Sequence, residues 1–160
     1  MVERSDLSTT SEVDEYSEEY LLQILTDVKT IALVGASPKA HRDSYLCMQV
    51  LLEQGYTVFP VNPREAGNEI LGQHCYASLD CIQQSIDMVD IFRRSEAVPE
   101  IVEEALAHLP HLKTIWMQIG VEHEEATATA QAQNIDVIQD RCPKIEYQRL
   151  FGELRMGGFA

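Results

Sequence analysis

At residues 34–45 the chain reads VGASPKAHRDSY. An apolar run ends in Gly35. A small residue, a serine and two basic residues follow before the next helical pattern begins. Glycine permits a tight turn and close approach of a ligand to the backbone. The amides after it, the Ser37 hydroxyl and a helix N-terminus near Ser44 together make an anion site. The chemistry indicated is therefore phosphate binding. The loop is not the dinucleotide signature G-x-G-x-x-G, because Ser37 and Ala40 replace its second and third glycines. It is not a Walker loop either, since no G-K-[ST] follows.

The other basic residues favour the same kind of ligand. The chain holds 12 Lys and Arg against 26 Asp and Glu, for a net charge of -14. Seven of those cations, Lys39, Arg42, Arg64, Arg93, Arg94, Arg141 and Lys144, fall in loops that follow apolar runs. Chance tolerance of charge in loops explains any one of them. A polyanion at a common rim explains them jointly, through charge-assisted bonds. Nucleic acid is disfavoured as a partner, because its backbone requires a basic face. NAD is disfavoured by VNPRE at 61–65, where Asn62 and Pro63 replace the acid that binds ribose hydroxyls. Arg64 keeps NADP open.

No catalytic constellation stands out, and none is assigned. The cysteines Cys47, Cys75, Cys81 and Cys142 form no CxxC, and the five histidines show no ligand spacing, so no metal site is expected. Cys142 lies beside Arg141 and Lys144 near a helix start, which favours a thiolate. A packed, inert cysteine is the stronger reading. Asp140 and Glu146 read as partners for Arg141, Lys144 or Arg149 rather than as a catalytic pair.

The elements that must position these residues follow from periodicity. TIALVGA (30–36), TVFPVNP (57–63), MVDIF (88–92), TIWMQIG (114–120) and IDVIQ (135–139) are short apolar runs. They lack alternation, as strands buried on both faces do. Helical patterns stand before the first run, between the others and after the last. Ser44 and Ser78 are the expected N-caps, and Pro99 falls in a first helical turn. This predicts a Rossmann-like three-layer α/β sandwich, a five-stranded parallel sheet of order 3-2-1-4-5 with helices on both faces. Residues 1–15, acidic and rich in Ser and Thr, are expected to form a disordered tail. Residues 16–155 form a single domain, and 156–160 fray. No apolar run suits a membrane span or a signal peptide, so a cytoplasmic protein is expected.

Several segments resemble the small stand-alone CoA-binding domain family, which is similar to the CoA-binding domain of the succinyl-CoA synthetase alpha subunit. They are VGAS (34–37), RDSY (42–45), PVNPR (60–64), LGQHCYASL (71–79), VDIFRRSEAVPEIV (89–102), WMQIGV (116–121) and DRCPKIEY (140–147). The resemblance implies a coenzyme A ligand. It implies that Gly35, Ala36 and Ser37 hold phosphates, with Pro38, Lys39, Arg42 and Ser44 beside them. Asn62, Pro63 and Arg64 would border the nucleotide. Phe92, Arg93 and Arg94 would flank it from the third strand, and Gln118 and Gly120 would close the crevice. The synthetase's second domain, with its phosphorylated histidine, has no counterpart here, so ligase activity is not implied. The expected function is non-catalytic binding of CoA or acyl-CoA. The alternatives are an NADP- or acyl-CoA-dependent enzyme of this fold, or an interaction subunit. A homo-oligomer and a partner enzyme subunit both stay open.

Overall fold

The computed structural model describes residues 16–159, with side chains through residue 152. The expected tail at 1–15 lies outside the described residues. The chain forms two compact units. The larger is Val28–Lys144, and the smaller joins the segment ending at Asp27 to the segment from Ile145 onward.

In the larger unit, β1 (Thr30–Val34), β2 (Thr57–Val61), β5 (Met88–Ile91), β6 (Thr114–Met117) and β7 (Asp136–Ile138) form one five-stranded sheet. Every pairing within it is parallel. β5 and β6 are buried at every position, and β1 at all but its first, as non-alternating apolar runs require. Val89 and Ile91 face a core shared with α3 (Val98–His108) and α4 (Glu124–Gln131). Asp90, between them, points to the opposite face and meets Cys47 of α2 (Asp43–Glu53). Helices thus cover both faces, and the expected Rossmann-like α/β class is observed. Pro99 lies in the first turn of α3, where its missing N–H costs nothing.

The strand order differs from expectation. Counting only the five parallel strands, it is 2-1-3-4-5, not 3-2-1-4-5, because β5 pairs with β1 and β6. The outer edge of β2 is instead met by a short extended segment at Tyr76. Its amide donates to the Pro60 carbonyl and its carbonyl accepts from Asn62 N–H, each at 2.9 Å. Pro60 has no N–H to give a second neighbour, which suits an edge strand and not an internal one. The connection from β2 to β5 also differs from the expected loop and short helix. It contains a turn of 3-10 helix at Pro63–Glu65, a hairpin of β3 (Glu69–Ile70) and β4 (Gln73–His74), and a second 3-10 turn at Leu79–Cys81.

Two expected caps are not formed. α2 begins at Asp43 with Arg42 in the cap position, and Ser44 is buried inside its first turn. The Ser78 hydroxyl bonds to the Asp80 carboxylate rather than to the backbone. The smaller unit contains α1 (Glu18–Asp27) and the greater part of α5 (Pro143–Phe159). Arg149 bonds Glu146 at 2.7 Å and Glu18 at 3.0 Å, which gives Glu146 the expected ion-pair role. α5 runs to Phe159.

Candidate functional site

β1 and β5 are neighbours, but the chain runs from β1 to one side of the sheet and from β5 to the other. Their carboxyl ends therefore open a crevice, the usual ligand position in such sheets. A cavity of about 480 Å³ lies there. Gly35, Ala36, Ser37, Pro38, Lys39 and Arg42 line it from the β1 loop. Asn62, Pro63 and Arg64 line it after β2, and Phe92 and Arg93 after β5. Three lining residues were not foreseen: Val34, Val61 and Glu65 also contribute. Glu65 follows Arg64 directly in a 3-10 turn, whose geometry a loop reading does not supply.

Gly35 is required by two constraints. Its φ is 91°, in the left-handed region, and a Cβ there would sit 2.2 Å from the Phe92 carbonyl oxygen. The loop thus packs directly on the end of β5. Its amides divide into two sets. Gly35 and Ala36 both donate to the Val61 carbonyl, at 3.0 and 3.3 Å, so they tie the loop to β2 and do not face a ligand. The amides of Ser37, Ala40 and His41 have no protein acceptor among the described residues. The amides left without a protein acceptor therefore begin at Ser37, two residues after the glycine. Ser37 Oγ accepts from Lys39 N–H at 3.1 Å, which leaves its own proton for a ligand.

Asn62 has a scaffolding part. Its Nδ2 donates to the Ala36 carbonyl at 2.8 Å, and its Oδ1 accepts from Arg64 N–H at 2.9 Å. One side chain so locks the β1 and β2 loops together. Lys39, Arg42, Arg64 and Arg93 are exposed and have no carboxylate partner among the described residues. In an acidic protein this is an unpaired positive patch.

The remaining residues implied by the resemblance lie elsewhere. Arg94 is exposed and 3.9 Å from Glu96. Ser44 is buried in α2. Gln118 and Gly120 belong to the turn after β6, which is clasped to the loop after β7. There Gly120 N–H donates to Asp140 Oδ1 at 2.7 Å and Arg141 N–H to the Met117 carbonyl at 3.2 Å. Gln118 is buried with its Oε1 unpaired. None of these four lines the cavity. A larger hollow of about 580 Å³ between α3 and α4 is lined by Glu100, Glu103 and Glu125 and by no Lys or Arg, so it does not suit an anion.

Residues 29–148 match a family described as "CoA binding domain". The chain belongs to that family. Bacillus subtilis YneT is 35% identical over 131 residues, covering 82% of this chain and 94% of YneT. A solved protein of Pyrococcus horikoshii OT3 is 39% identical, with a TM-score of 0.81, covering 89% of this chain and 98% of that one. The alpha subunit of acetate–CoA ligase (ADP-forming) I from Pyrococcus furiosus is 34% identical over 87 residues. That match spans 52% of this chain and 19% of the subunit, so the likeness is to one region of the ligase. Membership in the CoA binding domain family fits a basic crevice at the β1–β5 divide. Among the described residues, no helix is long and apolar enough to cross a membrane.

Proposed function

We propose that this protein binds coenzyme A or an acyl-CoA without catalysing a reaction of its own, in the cavity at the ends of β1, β2 and β5. The observation that carries this reading is the set of four exposed cations without carboxylate partners, Lys39, Arg42, Arg64 and Arg93, around a loop with unsatisfied amides. CoA carries a pyrophosphate and a ribose 3′-phosphate, which are the charges such a patch lacks. Ser37 and the amides of Ala40 and His41 take the pyrophosphate. Arg64 and Arg93 sit on the two other strand ends, within reach of a second phosphate. Gly35, Ala36, Pro38, Asn62, Pro63 and Phe92 shape the walls.

The absence of an acid at the end of β2 sets this ligand above NAD, and Asn62 is already committed to the two loops. The protein would act in the cytoplasm as a carrier or sensor of CoA, alone, as a homo-oligomer or as a subunit of a partner enzyme. Ser44, Arg94, Gln118 and Gly120 would influence the ligand only indirectly.

Titration calorimetry with CoA, dephospho-CoA, NAD and NADP tests the reading. CoA should bind most tightly. Removal of the 3′-phosphate should weaken binding by about 1.5–3 kcal/mol, the size of a charged hydrogen bond. Tighter binding of NADP than of CoA would overturn the assignment.

A further inference from the structure

The cavity at the ends of β1, β2 and β5 holds one carboxylate beside its four cations. Glu65 ends the 3-10 turn that follows β2 and lines the cavity, half-buried, next to Arg64. A glutamate among cations is expected to pair with one of them. Glu65 does not. Its Oε1 accepts from Asn68 Nδ2 at 3.3 Å, and its Oε2 has no partner among the described residues. The turn is braced from both sides. Glu65 N–H donates to the Asn62 carbonyl and Asn68 N–H to the Glu65 carbonyl, each at 3.0 Å. Asn68 is anchored in its turn, because its carbonyl accepts from Cys75 N–H at 2.8 Å. One carboxylate oxygen is thus held, uncommitted, at the wall of an anion site.

Such a charge repels an anionic ligand. The cost is offset if the oxygen accepts a hydrogen bond from that ligand. Given the CoA reading above, on which this step rests, the nucleotide half offers two donors: the ribose 2′-hydroxyl and the adenine 6-amino group. The hydroxyl adjoins the 3′-phosphate, so a carboxylate that met it would lie against that charge. The amino group stands at the far end of the base, away from the phosphates. Position favours it too. The acid that takes ribose hydroxyls in dinucleotide folds stands at the end of the second strand itself. β2 ends at Val61, and Glu65 lies beyond Asn62 and Arg64.

We propose that Glu65 is the specificity-determining residue for the base: its free carboxylate oxygen accepts a hydrogen bond from the adenine 6-amino group, and Asn68 positions it. The cations then read the charge of the ligand, and Glu65 reads its base. A base with a carbonyl at that place would set oxygen against oxygen and be rejected.

Titration calorimetry on the full chain compares CoA with the analogue in which hydrogen replaces the 6-amino group. Wild type should bind CoA about 10- to 100-fold more tightly, as for a hydrogen bond to a charged group. Glu65→Ala should bind the two alike. It should lose affinity for CoA and gain affinity for the analogue, because a carboxylate leaves the anion site. A carboxylate that only repels would give tighter binding of both ligands in Glu65→Ala. That result, or equal binding of the two ligands by wild type, would overturn the assignment. A 2′-deoxy analogue should bind wild type as CoA does, and a loss there that vanishes in Glu65→Ala would overturn the choice of the amino group. Asn68→Ala removes the tether and no charge, and should lower the preference for CoA part of the way. An unchanged preference would remove Asn68 from the assignment. Circular dichroism checks that the variants fold, and the wild-type comparison needs no variant. Failure of both CoA and the analogue to bind would instead overturn the CoA reading itself.

Discussion

The cavity and the buried Asp90 are electrostatic opposites. Around the cavity, four cations have no carboxylate partner among the described residues. In the core, Asp90 stands without a cation. Water can solvate the cations of the cavity until an anionic ligand replaces it, so their charge persists and remains available. No solvent reaches Asp90, so its charge is suppressed instead. An unpaired charge at the surface is thus an offer to a ligand, whereas an unpaired acid in the core becomes a neutral group with altered proton affinity. The first should respond to salt and the second to pH.

The largest expected effect breaks the cavity itself. Gly35→Ala forces a left-handed backbone on alanine, which costs about 1–2 kcal/mol. It also drives a Cβ against the Phe92 carbonyl, so the loop must move off the end of β5. CoA binding should be lost and the melting temperature should fall sharply. Gly120→Ala is the control. Its φ is also positive, at 85°, but no atom lies within 4 Å of its would-be Cβ. It should lose only the backbone contribution and keep CoA binding. Equal loss of binding in both variants would show that the crevice extends to β6.

Next in size is the separation of cations by position. Arg93→Ala should weaken CoA binding by about 1.5–3 kcal/mol at low salt, as for a charged hydrogen bond. The loss should shrink as salt is raised. Arg93→Lys should restore only part of the affinity if the contact is bidentate. Arg141→Ala should leave affinity nearly unchanged, because Arg141 bonds the Asp140 carbonyl at 2.8 Å beyond the cavity. Calorimetry on the three variants decides the matter. Wild-type affinity in Arg93→Ala would make Arg93 a solvated surface charge.

Much of this geometry is legible in the sequence. Non-alternating apolar runs separated by helical patterns identify all five parallel strands, and the clustering of cations after them identifies the rim. The order of the strands was misread as 3-2-1-4-5, although one residue bears on it. Pro60 in TVFPV lacks the N–H an internal strand needs, and so marks β2 as an edge. Which loops meet was not legible, because it depends on that order: with β5 beside β1, Phe92 and Arg93 join the glycine loop while Gln118 and Gly120 are carried away. Asp90 was hidden for another reason. VDIF reads as an apolar strand with one polar residue, and its partner Cys47 lies 43 positions earlier. Only packing across the sheet face brings the two together.

The core side of the comparison is tested by pH. Burial holds the Asp90 carboxyl well above its usual range in the folded state, so its contribution to stability is fully present below the unfolded carboxyl value of about 3.9. It is lost as pH rises through the folded value. Asp90→Asn removes this dependence while keeping the shape. The variant should melt a few degrees above wild type at pH 8 and close to it at pH 4, with little effect of salt. A variant less stable than wild type at pH 8 would mean that the carboxylate has a partner in solution.

The smallest effect is expected at Ser37, and it probes how the cavity holds phosphate. Ser37 Oγ accepts from Lys39 N–H, so the hydroxyl shapes the loop with its lone pairs and offers its proton outward. The amides of Ser37, Ala40 and His41 offer three further donors that no side-chain substitution removes. Ser37→Ala therefore deletes one neutral donor among several, and the loss of CoA affinity should be about 0.5–1.5 kcal/mol. Unlike the loss at Arg93, it should not change with salt, because no charge is removed. Calorimetry at low and high salt separates the two behaviours. A loss at Ser37 as large as that at Arg93 would show that the loop depends on the hydroxyl for its shape, and that the amides do not hold phosphate unaided.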